Sequence, residues 1–185
     1  MSKYLKVMFG NKGVNYEYKI NEVNIADIWN PNASDPKDFG GFNFSTEDKI
    51  LRWLVRGDTI YDVEIPEDAD IIDCPSESAP HGVLRSNKII LTNPRLMTDE
   101  LAMDFYLKSD LPEKSYYKSL AGVAIRGYRN TSLKIIEDKV NKENIDLVLS
   151  EIDDFTKPYQ NDLNDTYNVY NEVIKKLKDI KKNKF

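Results

Sequence analysis

Thiols and imidazoles are almost missing from this chain: Cys74 and His81 are the sole members of their types among 185 residues. A single cysteine cannot close an internal disulfide, so the chain suits a reducing compartment. One thiol and one imidazole also fall short of the three or four ligands of a zinc centre. Glycine is sparse, with 8 in all, and none sits in a phosphate-binding loop. The turn Gly10-Asn11-Lys12-Gly13 matches neither the P-loop nor the dinucleotide fingerprint. No apolar run approaches the length of a membrane-spanning helix. The opening residues hold too short an apolar stretch for a secretory leader. A cytoplasmic protein with no membrane anchor is expected.

Positive charge is in deficit. Lys and Arg number 26 against 31 Asp and Glu, for a net charge of -5 and a pI near 5.1. A general nucleic-acid binder needs cations to neutralise phosphates, so that class is disfavoured. A partner with a basic surface is not. With 41% hydrophobic residues, a chain of this length can bury a core without disulfides or metals.

What is present reads as an α+β protein. Lys3 to Phe9 alternates and predicts a strand ended by Gly10. Asn11-Lys12-Gly13 predicts a turn, and Tyr16 to Ile20 a second strand, the hairpin partner of the first. Residues 30–38 carry two prolines and several capping residues, which predicts a loop. Gly40-Gly41-Phe42-Asn43-Phe44 then enters a helix. Ser45 is its N-cap, Asp48 completes a capping box, Ile50, Leu51, Trp53 and Leu54 form the buried stripe, and Gly57 is a left-handed stop. Strands are expected over Ile60–Ile65, Ala69–Ile72 and Val83–Leu91, with a loop from Cys74 to Gly82.

Beyond Pro94 the period changes to that of helices. Thr98 caps one reaching about Lys108. Pro112 sits in the first turn of the next, which stops at Gly127. Thr131 starts a third and Asn144 a fourth, and Lys157-Pro158 interrupts the chain. A last amphipathic helix runs from Asp165 to Lys182. The expected organisation is a strand-rich domain over 1–95, a helical subdomain over 96–155, and a linker with a C-terminal helix over 156–185. The sheet should be small and antiparallel or mixed, with one packed helix. Leu120 to Leu149 resembles a single ankyrin-type helix pair, which cannot bury its own face and must pack on something else.

Few residues suggest chemistry. Cys74 and His81 lie seven apart across a proline-containing loop, without a nucleophile motif around them. Asp68, Asp70 and Asp73 are spaced acids that lack the glycine turn and ligand ladder of a calcium loop. Gly40-Gly41 could turn backbone N–H groups toward an anion, but a tight turn explains the pair as well. No catalytic residue, metal ligand or cofactor is therefore expected, and the balance points away from an enzyme.

Charge segregation is the strongest feature. No Lys or Arg occurs from Gly57 through Leu84, a stretch holding Asp58, Asp62, Glu64, Glu67, Asp68, Asp70, Asp73 and Glu77. These eight acids are the candidate partner-binding residues, since a one-sign surface attracts basic partners and can occupy a groove meant for phosphates. The opposite sign gathers in Lys175, Lys176, Lys178, Lys181, Lys182 and Lys184, which favours the helix dipole and could also steer toward nucleic acid. On the same helix Tyr167, Tyr170, Val173, Ile174 and Leu177 suit either an intramolecular dock or a homodimer interface.

Three runs also carry a family likeness: Gly40 to Asp48, Gly57 to Pro66, and Ser86 to Pro94. Together they resemble a family of phage and mobile-element proteins of gut bacteria. That family has a glycine-aromatic segment, a strand ending in Ile-Pro, and a Lys-Ile-Ile-Leu strand. The likeness covers about residues 1–150. It implies similarity to anti-CRISPR proteins, inhibitors of type II RNA-guided nucleases. The function it implies here is that of a non-enzymatic protein that binds a basic groove on a bacterial defence nuclease. A remoter likeness is to ADP-ribosyltransferases, on Gly40-Gly41-Phe42. Lys6-Val7-Met8-Phe9-Gly10 lacks the His or Arg of that fold's first strand, and no Glu-x-Glu is present downstream. That likeness implies a degenerate NAD-using scaffold.

Overall fold

Aromatic and branched residues alternating along short segments build one sheet. In the computed structural model, which describes residues 3–161 and 167–183, seven strands pair. They are β1 (Tyr4–Met8), β2 (Val23–Ile25), β3 (Phe42–Thr46), β4 (Thr59–Glu64), β5 (Ile71–Asp73), β6 (Leu84–Ser86) and β7 (Lys88–Leu96). Their spatial order is β2-β7-β4-β1-β3-β6-β5, and neighbouring strands run antiparallel. Five α-helices are described: α1 (Asp99–Lys108), α2 (Glu113–Ile125), α3 (Arg129–Lys139), α4 (Ile145–Thr156) and α5 (Tyr167–Lys182). The protein is α+β. It divides into two compact units, Met1–Ile50 with Arg56–Met97, and Leu51–Val55 with Thr98–Phe185.

The first unit is organised by β1. Leu5 pairs with Ser45 of β3 on one side and with Asp62 of β4 on the other. Both edges of β1 are thus occupied, and the expected hairpin with Tyr16–Ile20 does not form. That segment makes isolated bridges, Lys12 with Glu17 and Ile20 with Leu91, and exchanges backbone hydrogen bonds with the preceding turn, Gly13 N to Tyr16 O at 2.8 Å and Tyr18 N to Asn11 O at 2.9 Å. Its side chains hold it as well: the Tyr16 ring lies 4.8 Å and the Tyr18 ring 5.3 Å from that of Phe42. Tyr18 and Phe42 join Met8, Phe44, Tyr61, Val63, Ile89 and Leu91 in the core of this unit. Aromatic pairs of this geometry add to the burial of their area, so ring packing supplements the few backbone bonds here.

The expected helix after Gly41 is likewise replaced. Phe42–Thr46 is extended because Phe42 and Phe44 point into the aromatic core, and the Ser45 hydroxyl donates to Gly82 O at 2.7 Å instead of capping a helix. The chain then tightens into a 3-10 turn over Ile50–Arg56. Ile50, Leu51, Leu54 and Val55 are all buried, and burial on nearly every side suits a tight turn better than an amphipathic helix. Gly57 is extended, with φ 177°, so it is not a left-handed stop.

Val83–Leu91 is not one strand. Ser86 ends β6, Lys88 begins β7, and the two lie toward opposite ends of the strand order with only Asn87 between them. The sheet therefore curls until its two edges approach one another at Asn87. Ala26 N, just beyond edge strand β2, donates to Asn87 O at 2.9 Å. Asp70 N, just before edge strand β5, donates to Asn87 Oδ1 at 2.8 Å.

In the second unit, the Thr98 hydroxyl accepts from Leu101 N, as its N-cap position predicts, and Pro112 precedes α2. Leu120, Ala121, Val123, Ala124 and Ile125 of α2 are fully buried with Ile135 of α3 and Val148 of α4. Gly127, at φ +81°, turns the chain from α2 into α3. Leu51–Val55 completes this core, with Arg126 Nε donating to Val55 O at 2.9 Å. Helix α5 packs on α2, α3 and α4, with Val173 and Leu177 buried and Arg129 paired to Glu172. Val173 and Leu177 of the face suited to a dimer are thus used inside the unit. Asp165 and Lys184 lie outside the described residues.

Candidate partner-binding surface

Strand β4 places Asp62 between two neighbours that the base-free stretch does not contain. Lys3 Nζ lies 3.2 Å and Arg95 Nη2 2.8 Å from its carboxylate, and Asn93 Nδ2 donates at 3.0 Å. Burial works against ionisation of Asp62, but hydrogen bonds from Arg95, Asn93 and Lys3 outweigh it and hold the carboxyl down at about 2. Glu64 accepts from the Thr92 hydroxyl, and Asp58 accepts from Gly10 N and the Thr59 hydroxyl. Asp68 is paired with Lys88, whose hydrogen bond and charge hold its carboxyl below the usual range. Asp73 is paired with His81, and Asp70 accepts from the Trp29 indole N–H at 3.1 Å.

The eight sequence-selected acids thus fall into two sets. Asp62 and Glu64 lie on β4 and Asp58 immediately precedes it, and all three accept local hydrogen bonds. Glu67, Asp68, Asp70, Asp73 and Glu77 surround β5 and are exposed. Asp58 and Glu64 are exposed as well, and Asp62 is half-buried. The cations paired with Asp62 come from Lys3, just before β1, and Arg95 of β7; these strands flank β4 in the sheet but are remote from it in sequence.

Sequence reasoning passed over one unusual group. Lys6 lies between Tyr4 and Met8 on β1 and is only 7% exposed. Its ammonium donates to Asn43 O at 2.5 Å and Asn43 Oδ1 at 2.7 Å, and it stands 5.2 Å from the Tyr18 ring centroid. Burial, with the nearby charge of Arg85, brings Lys6 down to about 7. The available signal was its place in the alternation, where β1 puts an ammonium among residues that face the core.

The other candidate groups are structural. His81 engages Asp73, while burial pushes the Cys74 thiol up, against thiolate formation. Gly41 N donates to Ile28 O at 2.9 Å, and a Cβ on Gly41 would lie 2.6 Å from the Trp29 ring. The glycine pair therefore closes on the Trp29 segment and offers no anion cradle through that N–H. Among the described residues, no group of three or more His, Cys, Asp or Glu side chains is placed to hold a metal ion. Nor is any described helix long and apolar enough to cross a membrane. No family model matches the chain, and comparison with curated proteins and with solved structures finds no match.

Proposed function

We propose that this protein acts by binding another protein through the carboxylate-rich side of its strand-bearing unit. The observation that carries this reading is the exposure of Glu67, Asp70, Asp73 and Glu77 within a stretch free of Lys and Arg. Such a surface steers toward basic partners and mimics the charge of a phosphate backbone. The resemblance of Gly40–Asp48, Gly57–Pro66 and Ser86–Pro94 to phage-borne proteins supports a target class. That class is the positively charged groove of a bacterial RNA-guided nuclease, met in the host cytoplasm, with inhibition as the outcome.

A reconstituted target-cleavage assay tests this directly. Added protein should slow cleavage in proportion to its concentration and co-elute with the nuclease on gel filtration. Unimpaired cleavage together with separate elution ends this reading.

A further inference from the structure

The interaction reading leaves open where on the unit a partner sits, and the curl of the sheet supplies an answer. Edge strands normally protect themselves with charge. Here Ile25 on edge strand β2 is 59% exposed and Ile71 on edge strand β5 is 42% exposed. The two stand on either side of Asn87, because Ala26 N and Asp70 N both donate to that residue. Ile28, 66% exposed, precedes Trp29, whose indole is anchored on Asp70. Three isoleucines thus flank the seam where the edges of the sheet meet.

The rim is acidic. Glu22 and Asp27 on one side and Glu67, Asp70 and Asp73 on the other are all exposed. No Lys or Arg occurs from Ile20 through Pro36, so the seam joins two base-free stretches that the sequence keeps apart. Lys88, in register with Ile25, is already paired to Asp68. A second copy of this chain would set these five carboxylates against their own counterparts, which costs binding energy. The complementary occupant carries apolar side chains at its centre and cations around them.

Resting on the interaction reading, we infer that the Asn87 seam is the docking face. Its occupant is an extended segment of the partner that alternates basic and apolar residues. Such a segment can lie along short sheet edges, with its apolar side chains on Ile25, Ile28 and Ile71 and its cations on the rim.

The probe is a short fluorescein-labelled peptide of alternating lysine and valine, with lysine/serine and glutamate/valine peptides as controls. Fluorescence anisotropy reads affinity, and amide shift mapping on the unaltered protein reads location. The expected result is binding of the lysine/valine peptide alone, with shifts confined to residues 22–29, 67–73 and 86–88. Affinity should fall roughly tenfold or more in the Ile25→Lys, Ile28→Lys double variant. The Glu100→Gln variant should bind like the parent. Equal binding of the lysine/serine peptide, shifts located elsewhere, or a homodimer dissolved by the double variant each overturn the inference. If the double variant unfolds, the shift map on the unaltered protein decides. A double variant that still inhibits a nuclease as the parent does removes the seam and keeps the interaction reading. A protein that neither binds the peptide nor inhibits any nuclease loses both.

Discussion

The carboxylate of Asp99, in the first turn of α1, caps the N-terminus of α3 at Thr131: it accepts from Thr131 N at 2.9 Å and from the Thr131 hydroxyl at 2.7 Å. It also accepts from Asn130 N at 2.7 Å. Tyr128, at the capping position of α3, makes no side-chain cap, so one helix supplies what the other lacks. Replacing Asp99 with Ala should cost about 1–3 kcal/mol in urea unfolding. Amide exchange at Asn130 and Thr131 should accelerate ahead of the rest of the second unit. Unchanged exchange at those two amides would mean that Asp99 does not hold the start of α3.

Lys6 makes stability depend on pH in an unusual direction. Its folded value is about 7, against the ordinary 10.5. Between these values the unfolded chain holds a proton that the folded chain has released, so stability rises with pH across that window. The slope is at most about 1.4 kcal/mol per pH unit, and the full penalty is present below about 7. Lys6→Met should therefore be more stable than the parent at pH 6, and the gain should shrink by pH 9. Urea midpoints at the two pH values decide it. Above about pH 10 the trend reverses, because burial holds the Tyr18 and Tyr106 hydroxyls protonated in the fold, while the unfolded chain releases those protons.

Asp62 acts at the other end of the scale. Its folded value of about 2 lies below the ordinary 3.8. Its stabilisation is complete above the ordinary value and is lost as pH falls through about 2. Asp62→Asn should lower stability at pH 7 by about 1–2 kcal/mol, and the difference should fade as pH approaches 2. Denaturant titrations of both proteins at pH 7 and pH 2 measure this. A gap that persists undiminished in acid would mean the contribution is not ionic.

Two glycines separate the roles of space and of backbone angle. At Gly57 the backbone is open to any residue, but an added Cβ would stand 2.1 Å from the Met8 carbonyl carbon. At Gly127 the reverse holds, with φ +81° and nothing within 4 Å. Gly57→Ala should be destabilised by about 3 kcal/mol or more, through crowding of backbone on backbone. Gly127→Ala should lose about 1 kcal/mol from left-handed strain alone. Thermal unfolding of the pair gives the ranking, and a reversed order would refute it.

The helical half was open to inspection in the sequence. Thr98, Pro112 and Gly127 mark local boundaries, and apolar spacing such as Leu120, Val123 and Ala124 reports a buried face without knowledge of what covers it. These signals act over one or two turns, so a linear reading recovers them. The alternation of β1 and β4 was visible for the same reason. Phe42–Thr46 was not recovered, because a good N-cap residue and a capping-box acid lie on a segment whose two phenylalanines are claimed by a distant aromatic core. Residue type marks Gly57 as a stop, whereas its need is room beside Met8.

Residue order alone settled the α+β class, the scarcity of thiols and imidazoles and the presence of base-free acidic stretches, because composition and short-range period carry that information. Tertiary pairing decided the rest. Strands β1 and β7 bring Lys3 and Arg95 onto Asp62 and neutralise its charge. Asn87 draws the edges of the sheet together and sets Ile25, Ile28 and Ile71 among the carboxylates that remain. Charge neutralisation and surface continuity depend on distances across the sheet, and those distances arise from strand order, which no local stretch of residues encodes.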